Sequence, residues 1–105
     1  MKVVINKCFG GFGLSKTACE DYAKAKGLNV GKFNDTWGYY EDGDFYDREI
    51  QRDDPVLVEI VERLGNTASG NYANLVVVEI PDGVDWCVEE YDGNEWIAEV
   101  HRTWG

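Results

Sequence analysis

The chain has 105 residues, a net charge of -10 at pH 7 and 44% hydrophobic residues, which bounds it to one small domain with one modest core. An acid excess of this size argues against general nucleic-acid binding and against anionic membrane surfaces. Lys2, Lys7, Lys16, Lys24, Lys26 and Lys32 nevertheless lie in the first third, and the acids concentrate in 41–62 and 79–99, so a local basic pocket fits inside an acidic protein.

Val3, Val4 and Ile5 read as a buried strand that leads through Asn6, Lys7 and Cys8 into a glycine-rich turn, Phe9-Gly10-Gly11-Phe12-Gly13. Ser15 is placed to cap a helix over Lys16 to Lys26, whose Ala18, Cys19, Tyr22 and Ala23 share one side, and Gly27 fits the left-handed position that ends it. A strand, glycine loop and helix start in succession expose backbone N–H groups at a positive helix end, a place for a phosphate or carboxylate. The competing reading is a tight turn in which Phe9 or Phe12 packs in the core. Lys7 and Lys16 flank the loop.

Residues 28–52 carry six aromatics among acids, glycines and asparagines and show no helical period. A long loop is expected, with short strands near Trp37–Tyr40 and Phe45–Ile50. Asp42-Gly43-Asp44 lacks the EF-hand spacing and reads as a turn rather than a calcium site. Asp54-Pro55 starts a second helix with an apolar stripe, Val56, Leu57, Ile60, Val61 and Leu64, and Gly65 ends it. Ala73 to Ile80 is a strand apolar on both faces, which points to a central position. Trp86 to Tyr91 and Glu95 to Arg102 form a hairpin around Asp92-Gly93. A two-residue loop sets Trp86 opposite Glu99 and Glu90 opposite Glu95. A three-residue loop sets Trp86 opposite Ala98 and gathers Trp86, Val88, Trp96, Ala98 and Val100 on one face; burial of that face favours the odd loop. The order β-α-(loop with short strands)-α-β-β-β predicts an α+β two-layer sandwich, with two helices on one face of a mainly antiparallel sheet, in a single domain spanning 1–105.

Cys8, Cys19 and Cys87 share no metal-type spacing, and His101 is the sole histidine, so no metal site is expected. With no signal peptide or membrane-spanning run visible, free thiols in a reducing cytoplasm are expected. No nucleophile motif, zincin motif or Walker lysine is present, which disfavours an enzyme and implies no cofactor.

The segments NKCFGGFGLS, DPVLVEIVERLG and EIPDGVDWCVEEYDGNEWIAEVHRTW resemble a group of short bacteriophage proteins, over roughly two-thirds of the chain. The resemblance implies a phage source and action in the cytoplasm of an infected bacterium, and small phage proteins of this sort are often counter-defence factors. Some are sponges for nucleotide immune signals, of the cyclic ADP-ribose or cyclic dinucleotide type, and others are acidic inhibitors of defence nucleases.

Chemistry alone then selects the candidate ligand site: Lys7, Phe9, Gly10, Gly11, Phe12, Gly13 and Ser15 around the loop, Arg48 and Arg52 before the second helix, and His101, Arg102 and Trp104 at the end. Arginine forks suit phosphate oxygens, with ion pairing to Asp47, Glu49 or Asp53 as the competing role. Trp104 suits stacking on a base, with packing on the sheet or on a second subunit as the competing role. Trp37, Tyr39 and Tyr40 are further stacking candidates; Trp86 and Trp96 read as core. The expected partner is a small nucleotide-derived ligand enclosed by a homo-oligomer.

Overall fold

The computed structural model describes residues 1–100. Its strands are β1 (Lys2–Asn6), β2 (Lys32–Asn34), β3 (Tyr39–Glu41), β4 (Leu75–Glu79), β5 (Trp86–Tyr91) and β6 (Asn94–Glu99). Its helices are α1 (Lys16–Lys26) and α2 (Pro55–Leu64), and short 3-10 turns cover Asp47–Glu49 and Gly65–Ala68. The fold is α+β, and its elements follow the order expected from the sequence. The strands do not join into one sheet. They form three antiparallel pairs, β1–β4, β2–β3 and β5–β6.

Both helix starts are built as their caps predict. Ser15 Oγ accepts from the Ala18 N–H at 3.1 Å, and Gly27 closes α1 at φ 69°. Asp54 Oδ1 accepts from the Val56 N–H at 2.9 Å, with Pro55 opening α2. The apolar stripe of α2 packs on β1 and β4, and α1 packs on α2. Val4, Leu57, Ile60 and Val61 join Phe12, Tyr22 and Leu75 in one core, while Val3 and Ile5, on the other side of β1, are also buried.

Three expectations fail, each for a tertiary or turn-chemical reason. β4 pairs with β1 alone and is not central; Val76, Val77 and Val78 are only half-buried. The segment Phe45–Ile50 forms a 3-10 turn at Asp47–Glu49 rather than a strand, because Tyr46 and Asp47 carbonyls accept from the Glu49 and Ile50 N–H groups. The hairpin takes the two-residue loop. Trp86 faces Glu99 and Glu90 faces Glu95, which puts Trp86 and Trp96 on opposite faces. Asp92 and Gly93 both hold positive φ, 49° and 88°, the turn that matches strand twist. Trp96 is 40% exposed, so it is not core, and Glu95 is buried in its place.

Glu95 is buried because β1 requires it. The free edge of β1 presents the N–H groups of Val4 and Asn6. Arg52 O accepts from Val4 at 2.7 Å, and Glu95 Oε1 accepts from Asn6 at 2.8 Å. The Arg52 guanidinium then pairs with both Glu95 oxygens and lies 3.8 Å from the Phe12 ring centroid. One ion pair thus joins the hairpin, β1 and the segment before α2.

Candidate functional site

The 28–52 stretch is organised by its own hairpin. Asn34 Oδ1 accepts from the N–H groups of Thr36 and Trp37, and Gly38 N–H donates to Asn34 O at 2.7 Å, which folds β3 back on β2. Asp44 Oδ2 accepts from the Asn29 N–H at 2.7 Å and closes the base of this excursion, so Asp44 serves the turn. Phe33 meets Tyr40 edge-on at 5.1 Å between centroids. Phe45 packs on Tyr22 at 5.0 Å and ties the excursion to α1.

The excursion, the glycine loop and the segment 70–73 enclose a cleft of about 950 Å³. Four aromatic side chains on its lining are largely exposed: Trp37 at 70%, Tyr39 at 50%, Tyr46 at 63% and Tyr72 at 75%. A monomer of this size rarely leaves so many rings around one concavity without a use for them. Lys16 and Arg48 supply positive charge there; Glu41, Asp42, Asp47 and Glu49 supply negative charge. The Lys16 ammonium lies 4.9 Å from the Phe33 ring centroid.

Of the residues singled out from the sequence, the cleft brings together Gly10, Gly11, Phe12, Gly13 and Arg48, with the stacking candidates Trp37, Tyr39 and Tyr40. It does not include Lys7, Phe9 or Ser15. Phe9 is 68% exposed and Phe12 is the ring that packs in the core. Ser15 is committed, capping α1 and donating its hydroxyl to Thr67 O at 2.6 Å. Arg52 is committed to Glu95, a partner 43 positions away that local acids concealed. His101, Arg102 and Trp104 lie outside the described residues.

The glycines have structural reasons. A Cβ on Gly10 would fall on the Tyr72 backbone, and one on Gly93 would fall on Gly11 N, so the loop and the β5–β6 turn approach backbone to backbone. The N–H that follows the glycine run, that of Leu14, is already taken by Asp47 Oδ2 at 3.0 Å. Asp47 therefore occupies part of the anion-friendly region ahead of α1, and its other oxygen accepts from the Arg48 N–H. The Arg48 side chain itself is exposed and makes no ion pair among the described residues. Tyr46 and Tyr72 escaped sequence reasoning; only their membership of aromatic, glycine-rich loops hinted at them.

Burial and nearby acids together suppress ionisation of groups beside the cleft. Burial, then Asp47 and Glu20, pushes the Cys19 thiol up to about 12. Burial, then the hydrogen bond to Glu20 at 2.6 Å, pushes the Tyr40 phenol up to about 12. A hydrogen bond to Glu41, ahead of burial, raises the Tyr39 phenol. These groups stay neutral at pH 7 and offer hydrogen bonding and ring faces. The site thus defines a class: a small α+β protein with an open, aromatic cleft of mixed charge. No family model, curated protein or solved structure matches the chain. Among the described residues no helix is long and apolar enough to cross a membrane.

Proposed function

We propose that the protein is a non-enzymatic phage counter-defence factor that binds and sequesters a nucleotide-derived immune signal, of the cyclic ADP-ribose or cyclic dinucleotide type, in the cytoplasm of an infected bacterium. The observation that carries this reading is the ring of exposed aromatics around one cleft, with Lys16 and Arg48 on the same lining. Rings stack on bases, and cations hold phosphates. Sequestration needs no chemistry: enough protein with a tight site lowers the free signal below what the host effector requires. The cleft is open, and a second subunit would close it, so the working form is expected to be a homo-oligomer. Light scattering that returns a single chain at working concentration removes that part of the proposal.

Calorimetric titration with cyclic dinucleotides and ADP-ribose derivatives tests the reading. Wild type should bind a member of the panel. Arg48→Ala should weaken binding about ten- to hundredfold, the loss of one charge-assisted bond of roughly 1.5–3 kcal/mol. Trp37→Ala should cost a stacking contribution of roughly 1–3 kcal/mol. A protein that binds none of the panel yet still blocks a defence system is not a sponge.

A second reading, an acidic inhibitor docking on a host defence protein, is favoured by Tyr91 and Trp96, both exposed on one face of the β5–β6 hairpin together with Glu89. Inhibition of a purified defence effector with no nucleotide signal present would select it.

A further inference from the structure

Four carboxylates on the cleft face two cations. Asp47 is engaged by main-chain N–H groups, and Glu41 accepts from Asn34 Nδ2 at 3.1 Å. Asp42 and Glu49 make no ion pair among the described residues. A ligand that brings phosphates and only neutral bases has Lys16 and Arg48 to meet it, but the acids on the lining outnumber those cations. A cationic group meets the larger set, because electron-rich ring faces and carboxylates both favour positive charge. The cleft already holds one such contact, the Lys16 ammonium over Phe33.

Resting on the sequestration reading, we infer that the ligand's aromatic base is itself positively charged: a ring nitrogen carrying a sugar, as in an N-glycosylated pyridinium or an adenine glycosylated at N1. Such a ring stacks on the exposed faces of Trp37, Tyr39, Tyr46 or Tyr72, with Asp42 and Glu49 compensating its charge. Arg48 remains for the ligand's phosphate. This separates the two signal types. A cyclic ADP-ribose with an N1 linkage carries the charged base; a cyclic dinucleotide has neutral bases and two phosphates.

The test is a matched pair, nicotinamide mononucleotide and its reduced form. They share the sugar, the phosphate and nearly the ring outline, and only the oxidised ring is cationic. Calorimetry at neutral pH should show the oxidised form binding about tenfold more tightly. The double variant Asp42→Asn, Glu49→Gln should shrink that preference toward unity, with the reduced form binding no more weakly than to wild type and the melting temperature unchanged. Asparagine tolerates the left-handed backbone that Asp42 adopts at φ 60°. Equal binding of the two forms overturns the inference and leaves sequestration standing. So does binding of a cyclic dinucleotide with neither form bound. Failure of the whole panel, cyclic nucleotides included, overturns both.

Discussion

The Arg52 guanidinium and the Glu95 carboxylate are buried together, with side-chain exposures of 15% and 8%. Removing one strands the other. Arg52→Ala should cost about 3–5 kcal/mol in chemical denaturation, the range for breaking a buried pair. A loss below about 1 kcal/mol would mean that water replaces the partner as it does at a surface bridge. Asp54 makes a different prediction, because its partners act through pH. Burial pushes its carboxyl up, but hydrogen bonds from Tyr22, Lys26 and the Val56 N–H outweigh this and hold it below the ordinary 3.8. A carboxyl lowered by folding contributes stability above its unfolded value and loses it as pH falls through the folded one. Asp54→Asn should therefore flatten the fall in urea midpoint below about pH 4. Asp54→Ala should also lose the cap, roughly 0.5–2 kcal/mol at neutral pH. An unchanged pH profile in Asp54→Asn would show that other carboxyls govern acid unfolding.

At the scale of elements, the β5–β6 turn offers a controlled comparison. Gly93 and Gly83 both hold positive φ, 88° and 79°. A Cβ at Gly83 meets open space, whereas one at Gly93 falls on the backbone of Gly11. Gly83→Ala should cost only the left-handed penalty, about 1–2 kcal/mol. Gly93→Ala should cost clearly more, and the excess, read from denaturation midpoints, measures the contact between turn and glycine loop. Equal losses would mean that the two loops part without cost. The same turn shows what the sequence could carry. The α1 and α2 boundaries were legible because caps and stripes act within one or two turns of helix. The hairpin register was not, because pairing apolar faces ignored that Glu95 would be the buried residue, and Arg52 lies far away in the chain. The site divides in the same way. Trp37, Tyr39 and Tyr40 stood out as aromatics in a loop, but their meeting with Gly10, Arg48 and Tyr72 depends on three segments folding together.

At the scale of the molecule, the three free thiols lie at two depths of protection. Cys8 and Cys87 are half-buried; Cys19 is buried in the core, its thiol pushed up to about 12. A thiol reagent at pH 8 should modify Cys8 and Cys87 in the native protein and leave Cys19 until denaturant is added. Prompt modification of Cys19 at its native burial would mean that α1 opens locally without global unfolding.

The pairing of β1 with β4 also sets a schedule for synthesis on the ribosome. Val3, Val4 and Ile5 are made about 70 residues ahead of their partners, a wait of roughly 4–14 s at typical elongation rates. Glu95, which accepts the Asn6 N–H on the other edge of the strand, arrives later still. Throughout that interval the most deeply buried strand among the described residues lacks its ladder, and only the neighbouring helices can shelter it. Slowing translation between α2 and β4 should therefore lower the soluble yield; an unchanged yield would mean that α1 and α2 shelter β1 well enough alone.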